Sequence, residues 1–228
     1  MLTQLGASLV GLFDSIMVGH YATVDLAAVS FANALFFMTM VFAMGALMAI
    51  TPLVGVCMGE MNVQQENQSA IRNKIAILFQ NGMLFTVLQS ALMLLLLGGC
   101  IPFLEYFGQE PEVVAVARPY YILIVISLVP FLFFTFFKQF LEGLGNTLVA
   151  MIITLAMNGL NILLNWVFIY GHWGADAMGA TGAGIGSLIS RLGMPLCFVI
   201  AMWLHRDWKY YIQTFSWRTP SSPILWLR

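Results

Sequence analysis

Residues 147–169 read TLVAMIITLAMNGLNILLNWVFI, from Thr147 to Ile169, without one charged side chain. A helix crosses the hydrocarbon core of a bilayer in about 20 residues, so this stretch is long enough to span. Only helices and closed barrels satisfy their backbone groups in lipid, and an unbroken apolar run of this length means a helix. The same reading extends outward to five further segments, at 1–18, 27–56, 75–98, 119–137 and 182–204. The expected fold class is therefore an all-α integral membrane protein, a bundle of six transmembrane helices.

Composition agrees. The chain is 61% hydrophobic and 8% charged, against roughly 25% charged in an ordinary soluble domain. Its net charge of −1 offers no basic patch for nucleic acid. Cys57, Cys100 and Cys197 are scattered, with no spacing that suggests zinc or a disulfide framework. The first basic residue is Arg72, so no charged n-region of a signal peptide precedes the first apolar run. Only thirteen residues come before Asp14, and the expectation is a truncated N-terminus.

The basic residues set an orientation. With six alternating spans, Arg72, Lys74, Lys138, Arg206, Lys209, Arg218 and Arg228 share one side, Arg118 stands alone on the other, and Arg191 lies within a span. The positive-inside rule places both termini in the cytoplasm. Residues 1–205 form the helical lobe. Residues 206–228 form a cytoplasmic tail or the start of a linker, opening on an interfacial belt from Arg206 to Tyr211. The connector 99–118, with Glu105, Glu110, Pro111 and Glu112, is expected to be a solvated loop. Pro52, Pro130 and Pro195 fall inside spans and can kink them. Gly182 and Gly186 form a G-x-x-x-G face for close helix approach. Gly19-His20-Tyr21 and Gly171-His172-Trp173 give a weak hint of internal repetition.

The polar residues at membrane depth carry the function. Asp14 sits in Phe13-Asp14-Ser15-Ile16-Met17, and an intramembrane carboxylate is a functional-site hypothesis by default. Asn158, Asn161 and Asn165 recur at i, i+3 and i+7, which places three amides on one helix face. That face can be interhelical glue, or it can join Asp14 in a cation or proton site. A carboxyl group in a partly desolvated cavity can exchange protons near neutral pH, and amide and carboxylate oxygens are ligands an alkali cation accepts. Glu142 reads as a solvated acid, as an i,i+4 partner of Lys138, or as a second titrating group near the inner mouth. Arg191 must pair, snorkel or meet water. No catalytic constellation is present: Ser190 with Arg191, or His172 with Asp176, lacks a third partner.

Gly11 to Gly19, then Asp25-Leu26-Ala27-Ala28-Val29-Ser30, resembles the start of multidrug and toxic compound extrusion transporters. Glu142-Gly143-Leu144-Gly145-Asn146-Thr147 does so too. Asn161 to Gly171, followed by Gly179-Ala180-Thr181-Gly182-Ala183-Gly184, resembles the NorM-type branch. The likeness runs to about residue 205. It implies one lobe of a twelve-helix, two-lobed antiporter of the bacterial inner membrane. Such a transporter exports cationic, amphipathic compounds in exchange for Na⁺ or H⁺, with no other cofactor and no metal beyond transient Na⁺ at Asp14. By the same resemblance Asp14 is the acid that takes the coupling ion, Asn161 and Asn165 are the polar pair of the fifth helix, and Glu142 is an acid between the fourth and fifth. Asn158 and Arg191 are auxiliary candidates. The implied partners are the exported compounds, lipid, and a second six-helix lobe that closes the cavity. Alternatives are an inactive fragment, a membrane interaction subunit, or a lipid-linked sugar flippase of the same superfamily. The last would call for a more basic cavity than Arg191 alone provides.

Overall fold

A computed structural model describes residues 14–63 and 67–215, and among them every regular element is helical. Helix α1 covers 14–21 of the described residues. It is followed by α2 (Thr23–Leu47), α3 (Ile50–Val63), α4 (Gln68–Cys100), α5 (Pro111–Gly143), α6 (Thr147–Tyr170), α7 (Gly179–Leu204) and the short α8 (Arg206–Gln213). Among the described residues, five segments are long and apolar enough to cross a membrane: Thr23–Val63, Gln68–Phe107, Pro111–Gly143, Thr147–Tyr170 and Gly179–Leu204. Most of the expected first span, 1–18, lies outside the described residues, as do 216–228 of the expected tail.

Two expectations are corrected. The segment expected as one helix over 27–56 is two, broken at Met48–Ala49 and ending at Val63. Pro52 has no N–H to offer the carbonyl of Met48, four residues earlier. The backbone regroups around the gap, with Met48 N bonded to Met44 O at 3.0 Å and Leu53 N to Ala49 O at 3.4 Å. Proline placed in the first turn of α3 thus starts a helix instead of kinking one. By contrast, α5 and α7 continue through Pro130 and Pro195.

The second correction concerns 99–118, which is mostly helical. Helix α4 runs to Cys100 and tightens into a 3₁₀ segment, Ile101–Phe107, that ends at Gly108 with φ +73°. Helix α5 then begins at Pro111, a position where the missing N–H costs nothing. Hydropathy registers lipid depth, whereas α5, with 33 residues, is about 50 Å long and projects past the hydrocarbon. Glu105, Glu110 and Glu112 are exposed, as the solvated reading requires.

Helix α5 is the axis of the bundle. Its most apolar window is 67% buried, against 22–33% for the other four spans, and it packs on α2, α3, α4, α6 and α7. Around its second half Phe136, Phe137 and Phe140 close on Phe79 of α4, with Gly82 leaving room for the Phe136 ring. Helices α6 and α7 approach closely through the G-x-x-x-G face: a Cβ at Gly182 would strike the Phe168 carbonyl, and one at Gly186 the Asn165 amide. Helix α8 folds back on the bundle, burying Trp208 and Tyr211. A cavity of about 740 Å³ at that end is bounded by Met58, Arg72, Leu144 and Asp207. The end of α3, the start of α4, the α5–α6 turn and α8 therefore lie together, which is the sidedness expected of alternating spans.

Candidate functional site

Of the polar residues predicted for function, Asp14, Asn161 and Asn165 lie in the other half of the bundle. Asn165 is fully buried near the end of α6, and its Nδ2 donates to Asp14 Oδ1 on α1 at 2.5 Å. One turn further along both helices, the Tyr170 hydroxyl donates to the Met17 carbonyl at 2.8 Å. Two contacts thus fix α1 against α6 and hold the carboxylate in place. Gly186 of α7 supplies the space, because any side chain there would displace the Asn165 amide.

One turn deeper, the buried Asn161 donates through Nδ2 to Ser190 Oγ of α7 at 3.2 Å. Ser190 in turn donates to the Ser187 carbonyl at 3.1 Å. From α5, the buried Tyr120 hydroxyl donates to Asn33 Oδ1 on α2 at 3.1 Å. Arg191 donates through Nη1 to Ser127 Oγ of α5 at 2.8 Å. Its guanidinium carbon lies 5.0 Å from the Phe36 ring centre and 5.3 Å from that of Phe131.

The amides are not fully used. Asn165 Oδ1, Asn161 Oδ1 and Asn158 Nδ2 are buried and have no hydrogen-bond partner among the described residues. Buried polar atoms are rarely left unbonded without water, an ion or a functional reason. Amide and carboxylate oxygens are the donors suited to a hard monovalent cation or to a proton and water. Asn158 shares the face but sits two turns from Asn165, about 10 Å along α6.

Glu142 lies elsewhere. It is 22 residues beyond Tyr120 on α5, about 33 Å along the helix, and it pairs with Lys138 at 3.9 Å. His20 and His172 also have separate settings: His20 Nδ1 contacts the Ile16 carbonyl at 2.8 Å, and His172 lies against Trp166. The repeated Gly-His pair diverges too. Gly171 ends α6 with φ +76°, whereas Gly19 lies inside α1.

Sequence reasoning missed Asn33, Tyr120, Ser127 and Tyr170 as members of this network. The hydroxyls of Tyr120 and Ser127 are unremarkable in an apolar run, but Asn33 was a polar residue at mid-helix and so a readable signal. Asp25 was quoted only as part of a motif. Its Oδ1 accepts from Ala180 N at 2.6 Å, so α2 caps the first turn of α7, where an acid and the helix dipole favour each other.

A family model described as MatE matches residues 1–167. The chain belongs to the MatE family. A probable multidrug resistance protein NorM of Bacillus licheniformis is 30% identical over 212 residues, covering 92% of this chain and 44% of that protein. The Photorhabdus laumondii protein of the same description is 27% identical, with 95% and 46% covered. A multidrug resistance protein NorM of Vibrio parahaemolyticus is 34% identical over 183 residues, with 78% and 37% covered. Among solved structures, MATE in the bent conformation superposes with a TM-score of 0.77 at 22% identity, over 99% of this chain and 47% of that one. That likeness establishes the fold as half of a MATE structure. The chain spans about half the length of the relatives it matches.

Proposed function

We propose that this MatE chain is one lobe of a secondary transporter that exports cationic, amphipathic compounds across the bacterial inner membrane by Na⁺ or H⁺ antiport, with both termini cytoplasmic. The observation that carries the reading is the Asn165–Asp14 pair beside the open oxygens of Asn161 and Asn165. A carboxylate held in this way can exchange a cation for its amide partner without a large rearrangement. Asn158 extends the polar face, and Glu142, at the far end, is a separate acid that meets the other mouth of the lobe. Alternating access would come from this lobe rocking against a second one.

The test is export of a cationic dye from proteoliposomes that hold this lobe together with a second six-helix lobe. An imposed inward Na⁺ or H⁺ gradient should drive export, and collapsing the gradient should stop it. Export that ignores both gradients contradicts the proposal. A second reading rests on the half-length match to the relatives: the 228-residue chain alone carries out no transport. Gradient-driven export by the chain reconstituted without a partner lobe would contradict that reading.

A further inference from the structure

Arg191 is a charge at membrane depth with no direct counter-ion among the described residues. The ion pairs among the described residues are Lys74–Glu60, Arg118–Glu105 and Lys138–Glu142, and none involves Arg191. A guanidinium offers five N–H donors. Here one hydrogen bond goes to Ser127 Oγ, and two aromatic faces, Phe36 and Phe131, flank the cation. An aromatic face attracts a cation but does not neutralise it. Asp14 is the acid linked to Arg191 through the helices. Ser190, next to Arg191, accepts from Asn161, one turn from the Asn165 that holds Asp14.

We infer that Arg191 is a tethered internal cation that opposes the coupling ion at Asp14 and sets how tightly the site holds it. The inference rests on the proposed reading of Asp14 as the coupling acid. Ser127 and the two phenyl rings keep Arg191 at a distance, so it does not close on Asp14 in a direct pair that would shut the site. From that distance its charge repels a cation bound at Asp14, and such repulsion is stronger away from bulk water. An ion that must be released in every cycle gains from such an opponent. The groups that face Asp14 from the surrounding helices are Asn165 of α6, Arg191 of α7 and, from α5, the Tyr120 hydroxyl that is bonded to Asn33 of α2. Arg191 is the cation among them. It is thus a positioning residue that acts through the field at Asp14.

The test is equilibrium binding of radioactive sodium to the 228-residue chain in lipid nanodiscs. Arg191→Gln keeps a donor for Ser127 and removes the charge, so the half-saturating sodium concentration should fall about tenfold. Arg191→Lys keeps the charge and should stay close to the unsubstituted chain. A residue with only a structural role would weaken binding in both variants. Unchanged or weaker binding in Arg191→Gln, in a chain whose sodium binding is lost with Asp14→Asn, overturns the inference and leaves the site intact. Absence of saturable sodium binding, or sodium binding that survives Asp14→Asn, overturns the inference, whereas the proposed function stands or falls separately on gradient-driven export.

Discussion

Asp14 and Glu142 are both acids on helices of the bundle, and its two ends treat them differently. At the α8 end, charges are matched locally and near water. Lys74 lies 3.0 Å from Glu60, Lys138 lies 3.9 Å from Glu142, and Arg72 donates to the Asp207 carbonyl at 3.2 Å. At the Asp14 end, the carboxylate has a neutral amide for a direct partner, the nearby cation is held off by Ser127, and two amide oxygens are left open. Locally matched charges are satisfied and quiet. A carboxylate that is positioned but not neutralised remains available to a mobile ion. The contrast lies in the partner, not in the type of residue.

The largest effect on this comparison is expected from Asn165→Leu. It removes the direct partner of Asp14 and one open oxygen, and it should weaken sodium binding by about 30-fold or more, the order of a lost hydrogen bond to a charged group. Binding within a few-fold of the unsubstituted chain would mean that Asp14 works without its amide. Next comes Gly186→Val. Its side chain would occupy the position of the Asn165 amide, so thermal unfolding in detergent should reveal a loss of about 1–3 kcal/mol, and sodium binding should weaken as well. Gly182→Val offers a control: it strikes the Phe168 backbone instead, so stability should fall by a similar amount while sodium affinity falls less. If the two variants lose affinity equally, Gly186 has no special link to the site. The smallest effect is expected at the other end, where Lys138→Ala breaks an i,i+4 pair worth about 0.5 kcal/mol or less and should leave sodium affinity unchanged.

The parts of the site legible in the sequence were those that depend on local spacing. Asp14 stands out because charge is rare in an apolar run. The face shared by Asn158, Asn161 and Asn165 follows from the helical repeat alone, as does the small-residue face of Gly182 and Gly186. What could not be read depends on contacts between distant segments. Nothing local says that Tyr120 reaches Asn33, or that Arg191 finds Ser127 instead of an acid. Glu142 shows the same limit, because its local pairing with Lys138 was one open reading and its distance from Asp14 became visible only in the folded bundle. The fold followed the same division. Hydropathy located the spans, yet it could not place the break at Met48–Ala49, which Pro52 imposes from four residues away. Nor could it see that 99–118 continues as helix beyond the lipid. The aromatic belt at Trp208 and Tyr211 was visible as composition, whereas its burial against the bundle was not.

The central claim is that the Asp14 carboxylate couples an ion to export, and one measurement addresses it directly. Gradient-driven export of a cationic dye is compared between the two-lobe protein and its Asp14→Asn variant, an isosteric change that keeps a partner for Asn165. The account predicts that the variant loses the response to both Na⁺ and H⁺ gradients. Ion-dependent export that persists in Asp14→Asn would contradict it.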